Sequence, residues 1–153
     1  MTDAIADESA PPAPSVRPIT DADVPAVVAL WHAAGVTRPW NDPLHDIAMA
    51  RRSPHATVLV ALVDGVVAAT AMVGEDGHRG WVYYVAADPG RRGLGLGRAV
   101  MAAAERWLVD RGVAKLNLLV RGDNRAAVGF YAALGYRDTG SVCLQKVLVP
   151  PAG

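Results

Sequence analysis

The chain has a single cysteine, Cys143, in 153 residues, which excludes an intrachain disulfide and any multi-cysteine metal centre and matches a reducing compartment. It has no excess of either charge: fifteen Lys and Arg balance fifteen Asp and Glu, with a pI near 6.9. Nucleic-acid binding draws much of its strength from counterion release around phosphates, so a neutral chain is poorly suited to it, and we expect no nucleic-acid partner. No apolar run reaches membrane-spanning length, so no membrane partner is expected either. Nor is a secretory signal expected. Residues 1–15 carry Asp3, Asp7, Glu8, Pro11, Pro12 and Pro14 where a basic start and an apolar run would be needed, and they read as a disordered tail on a cytoplasmic protein. His32 and His55 lack paired ligand spacing, and no metal is expected.

What remains is ordinary globular composition, 52% hydrophobic and 20% charged, long enough for one domain, assigned to residues 16–149 with a short tail at 150–153. Val16 to Ile19 reads as a strand. Thr20-x-x-Asp23 before Val24, Val27, Val28 and Trp31 reads as a capped helix closed by Gly35, and a second helix runs from Leu44 to Arg52. Thr57–Val63 and Val66–Val73 flank Asp64-Gly65, the signature of a tight antiparallel hairpin, and Trp81–Val85 adds a third strand. Leu96, Val100, Ala103, Ala104, Trp107 and Leu108 recur at helical spacing before Gly112. Lys115–Val120 is a strand, Arg125–Ala133 a helix capped by Asp123 or Asn124, and Val142–Leu148 a last strand with Cys143 in the core. This order predicts a mixed α/β fold, one central mixed sheet with helices on both faces.

The segment Arg91-Arg92-Gly93-Leu94-Gly95-Leu96-Gly97-Arg98 lies between a strand and the most regular helix. The first amides of that helix have no intrahelical acceptor, and the helix dipole favours an anion there by about 0.3 to 1 kcal/mol. Gly93, Gly95 and Gly97 let backbone approach a diphosphate closely, while Arg92 and Arg98 add counter-charge. A glycine-rich connector with solvated arginines is the plain alternative. The spacing is not that of dinucleotide binders, since Gly93-x-Gly95 is followed by Arg98 and Gly95-x-Gly97 by Val100. No Gly-Lys-Ser/Thr triplet exists for a nucleoside triphosphate.

Arg92-Gly93-Leu94-Gly95-Leu96-Gly97 resembles the pyrophosphate loop Arg/Gln-x-x-Gly-x-Gly/Ala of the GCN5-related N-acetyltransferases, the GNAT family. Asn124 through Tyr136, with Tyr131 and the close Leu134-Gly135-Tyr136, is similar to that family's second signature. Residues 38–43 and 76–80 with Tyr83-Tyr84 further resemble its YpeA subgroup. The element order above gives a sheet of six to seven strands, and the resemblance implies the GNAT acyl-CoA N-acyltransferase fold with acetyl-CoA as the donor. It also implies that the donor lies where two parallel strands, Trp81–Val85 and Lys115–Val120, splay apart. Backbone of Val85, Ala86 and Ala87 would then pair with the pantetheine arm. Amides of Leu94, Gly95, Leu96, Gly97 and Arg98 would hold phosphate, and Asn124 would contact pantetheine. Relatives often pair through their sheets, so a homodimer is a further expectation.

Acyl transfer to an amine needs a neutral nucleophile, a donor for the developing oxyanion and a proton for the leaving thiolate. By the family match Tyr131 is the acid, and the Val85 amide is the oxyanion donor. A core aromatic at Tyr131 and a simple helix cap at Asn124 would leave the same letters. Many relatives carry a glutamate on the strand matching Trp81–Val85, which this chain lacks. Deprotonating a lysine at pH 7 costs about 4.6 kcal/mol and an α-amine about 1.1 kcal/mol, so a weakly basic amine suits a site that relies on water. Glu75, Asp76 and His78 could hold that water, with Asp42 a further option. His78 is preferred because imidazole titrates near neutrality. Trp40, Asn41, Asp42 and Tyr83 are candidates for the acceptor wall. The expected activity is direct transfer from acetyl-CoA to a primary amine of a small molecule or peptide, with a weakly catalytic acyl-CoA sensor as the alternative.

Overall fold

The computed structural model describes residues 13–150. The tail expected at 1–15 therefore lies outside the described residues up to position 12, as do 151–153, while Ser15 already belongs to the first strand. The elements are β1 (Ser15–Pro18), α1 (Val24–Ala33), α2 (Pro43–Arg52), β2 (Ala56–Val63), β3 (Val66–Glu75), β4 (Gly80–Ala87), α3 (Leu96–Val109), β5 (Leu116–Leu118) and α4 (Arg125–Ala133). Short 3-10 turns precede α1 and follow β4. The strands form one sheet in sequence order, antiparallel from β1 to β4 and parallel between β4 and β5.

Local chemistry explains each boundary. Asp64 and Gly65 both take positive φ, 52° and 75°, the conformation that a two-residue hairpin turn demands. Asp23 accepts the Thr20 amide at 2.8 Å and closes the capping box ahead of α1. Asp42 caps α2 by accepting the Leu44 amide at 3.0 Å, and Gly112, at φ 77°, ends the turn after α3.

Alternation along β2 assigns the two faces. Val58 and Val60 point into a cluster with Val27, Leu30 and Trp31 of α1 and Ile47 and Ala50 of α2. Leu59, Ala61 and Val63 point the other way, toward Leu96, Val100, Met101, Ala104 and Leu108 of α3. Helices therefore cover both faces, as expected, and no described helix is long and apolar enough to cross a membrane.

Two expectations fail at the C-terminus. The sheet has five strands, not six to seven, because Val142–Leu148 forms no ladder among the described residues. Val142, Leu144 and Leu148 are 82%, 90% and 84% exposed, and Cys143 is exposed rather than in the core. Strand propensity is chiefly a fit to a pleated, half-buried surface, and β-branched residues alone do not supply that surface. β5 is only three residues long, and its ladder is to β4 alone.

Candidate active site

The site begins with a fault in the β3–β4 ladder. Thr70 pairs with Ala86 and Met72 with Tyr83, so Tyr84 and Val85 together oppose the single residue Ala71. This bulge re-aims the backbone of β4. It also holds Tyr84 at φ 50°, an uncommon conformation for a bulky side chain. Neighbouring groups fix it there. Thr70, fully buried, accepts the Trp31 indole N–H at 2.8 Å and donates to the Tyr84 carbonyl at 2.9 Å. The Tyr84 ring stacks on Trp31 at 3.8 Å with planes 5° apart, and its hydroxyl donates to Asp46 of α2 at 2.6 Å. Burial first, and then the hydrogen-bonded Asp46, push the Tyr84 phenol well above its ordinary pKa, so it remains a neutral donor.

On its other side β4 loses its neighbour. The parallel ladder joins only Gly80, Trp81 and Val82 to Leu116, Asn117 and Leu118, while β4 continues to Ala87. From Tyr83 onward its outer edge is unpaired, and Val85, Ala86 and Ala87 border the resulting gap. The loop after β4 leads directly to the start of α3. Gly93 and Gly95 take φ 81° and 67°, and Gly95 is the helix N-cap with no side-chain cap. Ala99 is the first residue to bond back, to the Gly95 carbonyl at 3.0 Å. The amides of Leu96, Gly97 and Arg98 thus lead the helix without an intrahelical acceptor. Leu94 packs inward against the α3-side core, anchoring the loop, while Arg92 and Arg98 lie exposed. This set suits a diphosphate continuing into a thin chain that can pair with β4.

α4 faces the same gap. A Cβ on Gly97 would lie 2.9 Å from Phe130 Cζ, so the bare glycine is what lets α4 approach the start of α3. The Tyr136 hydroxyl donates to Glu105 of α3 at 2.7 Å, tying down the far end. Phe130, Tyr131, Leu118 and Val85 pack against one cluster with Val82 and Met101. Tyr131 meets Phe130 and Tyr136 edge-on at 5.0 and 5.7 Å, and burial raises its pKa. Asn124 caps α4 by accepting the Ala127 amide at 3.1 Å, which leaves its amide N–H groups available.

The turn before β4 stands apart from this assembly. Glu75 accepts the Gly77 amide at 2.7 Å and pairs with the His55 ring at 2.5 Å, both of which hold its carboxyl below the usual range. Asp76 accepts the Arg79 and His78 amides at 2.7 and 2.9 Å and is lowered likewise. These carboxylates close the turn, and their lowered affinity for protons suits a base poorly. His78 is seven residues before Val85, roughly 20 Å along extended chain. The turn is thus not brought together with the gap.

A cavity of about 430 Å³ opens on the α1–α2 face of the sheet, lined by Asn41, Asp46, Met49, Ala50, Ser53, Ala56, Met72, Val73, Gly74, Tyr83 and Tyr84. Of the expected acceptor wall it includes Asn41 and Tyr83. Asp42 serves as the α2 cap, and Trp40 is 59% exposed. Asp46, Tyr84 and Thr70 went unanticipated. The signal available was weak: Tyr83-Tyr84 ahead of the strand end, and an acid one turn into α2. No group of three or more metal-ligating side chains gathers among the described residues.

Comparison with known proteins agrees with this geometry. Residues 23–136 match the model of the acetyltransferase (GNAT) family. An acetyltransferase of Yersinia enterocolitica is 38% identical over 134 residues, covering 88% of this chain and 95% of that protein. One from Sodalis glossinidius is 40% identical over 129 residues, covering 84% and 91%. Among solved structures, the aminoglycoside N-acetyltransferase AAC(6')-Iy, bound to a CoA bisubstrate analogue, superposes with a TM-score of 0.78 at 17% identity, covering 90% of this chain and 100% of that one. The ribosomal-protein-S18-alanine N-acetyltransferase of Escherichia coli gives a TM-score of 0.66 at 26% identity, covering 80% and 76%. With the family model spanning most of its length and relatives this similar end to end, the chain belongs to the GNAT family of acetyltransferases.

Proposed function

We propose that the protein transfers an acetyl group from acetyl-CoA to a primary amine of a small molecule or peptide, by direct attack with both substrates bound. The observation that carries this reading is that β4, whose ladder to β5 ends at Val82, leads through one loop to a helix headed by the unpaired amides of Leu96, Gly97 and Arg98. CoA supplies a thioester whose carbonyl carbon is open to attack and whose thiolate is a good leaving group. The amides at the head of α3 grip the diphosphate, with Arg92 and Arg98 adding charge. Backbone of Val85 to Ala87 pairs with the pantetheine arm, and Asn124 donates to it. The Val85 amide, at the bulge in β4, donates to the oxyanion as the amine nitrogen bonds to the carbonyl carbon. The C–S bond then breaks, Tyr131 gives its hydroxyl proton to the sulfur, and the proton released by the attacking nitrogen returns through water to the Tyr131 oxygen. The raised pKa keeps Tyr131 protonated until that moment.

The amine reaches the gap from the cavity face. The acidic turn has no free role there, so a bulk-connected water takes the ammonium proton, and amines of lower basicity are favoured. The exposed apolar C-terminal segment and the unpaired edge of β5 also support a homodimer. The lone exposed Cys143 fits a reducing, cytoplasmic setting.

Thiol release with acetyl-CoA across amines, peptides and α-amines tests this. Tyr131→Phe is expected to reduce kcat by about 10²- to 10⁴-fold, the usual worth of a positioned acid, while calorimetric acetyl-CoA affinity stays within twofold. Failure to bind acetyl-CoA would refute the reading. Binding without turnover on any amine would identify an acyl-CoA sensor instead.

A further inference from the structure

The cavity between α2 and the β3–β4 ladder has an uneven charge inventory. One carboxylate, Asp46, lines it, with no basic side chain among the lining residues. Asp42 lies close enough to raise the Tyr84 phenol, and Asp76 the Tyr83 phenol, but Asp42 caps α2, Asp76 accepts its own turn's amides, and both are exposed. Most of the remaining wall is apolar: Met49, Ala50, Ala56, Met72 and Val73. Asp46 is held in place. Its Oδ2 accepts from Tyr84 at 2.6 Å, and Tyr84 is itself fixed by stacking on Trp31 and by the Thr70 bond to its carbonyl. Its other oxygen remains to accept a ligand's N–H.

We propose that this cavity is the acceptor site, selecting amines that carry one ammonium group on a compact apolar body, with Asp46 as the anchor for that ammonium. The inference rests on the acetyl-transfer reading above. A single ammonium beside a fixed carboxylate is a compensated pair, whereas every further ammonium carried into the same apolar walls stays uncompensated and desolvated. A compact polycation with a charge on each ring is therefore rejected. A hydrophobic amine or an N-terminal residue with an apolar side chain is accepted. The volume, about 430 Å³, is at the small end for sites that enclose organic ligands. The paired ammonium gives its proton to water and leaves Asp46 before its nitrogen attacks, so Asp46 sets KM for the acceptor more than kcat.

Amide chemical shifts of the full isotope-labelled chain, titrated with 2-phenylethylamine, 2-phenylethanol and the aminoglycoside neamine, provide the test. The amine is expected to move amides of α2 and β4 around Asp46, Met49, Tyr83 and Tyr84, and to bind at least tenfold tighter than the alcohol or neamine. Asp46→Asn, which keeps an oxygen for Tyr84, should bring amine and alcohol within threefold of each other. Met49→Glu, at a half-exposed lining position, should tighten neamine at least threefold and keeps the test open should Asp46→Asn fail to fold. Equal binding of amine and alcohol, tighter neamine binding, or no shifts at the cavity would each overturn the proposal. Acetyl-CoA calorimetry separates the two claims. Loss of CoA binding with the amine preference intact sinks acetyl transfer alone, and CoA binding without that preference sinks this inference alone.

Discussion

Replacing Thr70 with valine isolates the bond network behind the β4 bulge. The two side chains are nearly the same shape, and position 70 is fully buried, so packing changes little. The substitution removes the acceptor of the Trp31 indole and the donor to the Tyr84 carbonyl, at 2.8 and 2.9 Å. A buried polar group left without a partner costs about 1–3 kcal/mol. Two such groups, less the small gain from an added methyl, give about 2–4 kcal/mol. A domain of this size shifts by about 2–4 °C per kcal/mol, so Thr70→Val should lower Tm by about 4–16 °C. Thr70→Ser keeps both bonds and loses one methyl, about 1 kcal/mol and about 3 °C. Thermal unfolding followed by circular dichroism reads both. Well below either midpoint, acetyl transfer should fall at least tenfold in the valine variant, because Tyr84 can relax from φ 50° and turn the Val85 amide away, while the serine variant stays near wild type. A valine variant within 2 °C of wild type, or a serine variant less stable than the valine one, would refute the role given to the hydroxyl.

Gly97→Ala places a methyl group 2.9 Å from Phe130 Cζ while improving helix propensity by up to about 1 kcal/mol. Tm should hold or rise and kcat should fall at least fivefold as α4 moves; unchanged kcat in steady-state assays would contradict the packing argument. Asp23 accepts hydrogen bonds from Arg17 and from Thr20, and the Arg17 bond foremost depresses its pKa. A carboxylate whose folded pKa lies below its unfolded value of about 3.9 contributes fully above that pH, and the contribution fades as pH falls toward the folded value. Urea midpoints should therefore be flat from pH 7 to 5 and drop below pH 4, with a shallower drop in Asp23→Asn. Parallel wild-type and variant profiles between pH 5 and 3 would rule this out.

Local chemistry in the sequence was sufficient for most elements. Asp64-Gly65 demanded its turn, Thr20-x-x-Asp23 its cap, and the Leu96–Leu108 stripe its helix, each within a few neighbouring residues. The glycine loop was legible for the same reason, since the orphan amides follow from where a helix starts. Features that depend on register were not legible. Tyr83-Tyr84-Val85 reads as uninterrupted strand, and nothing in those letters says that two residues will oppose Ala71. Asp46 looks like any acid in a first helical turn, and its bond to Tyr84 spans 38 positions. The acidic turn at Glu75, Asp76 and His78 was legible only by adjacency. It touches β4 in sequence, yet it closes the end remote from Val85, and its carboxylates serve the turn's own amides. Val142–Leu148 misled by composition, because its β-branched residues have no partner strand among the described residues to pack upon.

The parting of β4 from β5 after Val82 and Leu118 bears on solubility as well as on chemistry. Unpaired strand edges are sticky, and at the rim of a sheet they recruit strands from neighbouring molecules. Here the open stretch is short, from Tyr83 to Ala87, because β5 still covers the same edge from Gly80 to Val82. A run that brief offers a foreign strand few bonds. The fold thus leaves free amide valences at one strand end without presenting a long bare rim to other proteins.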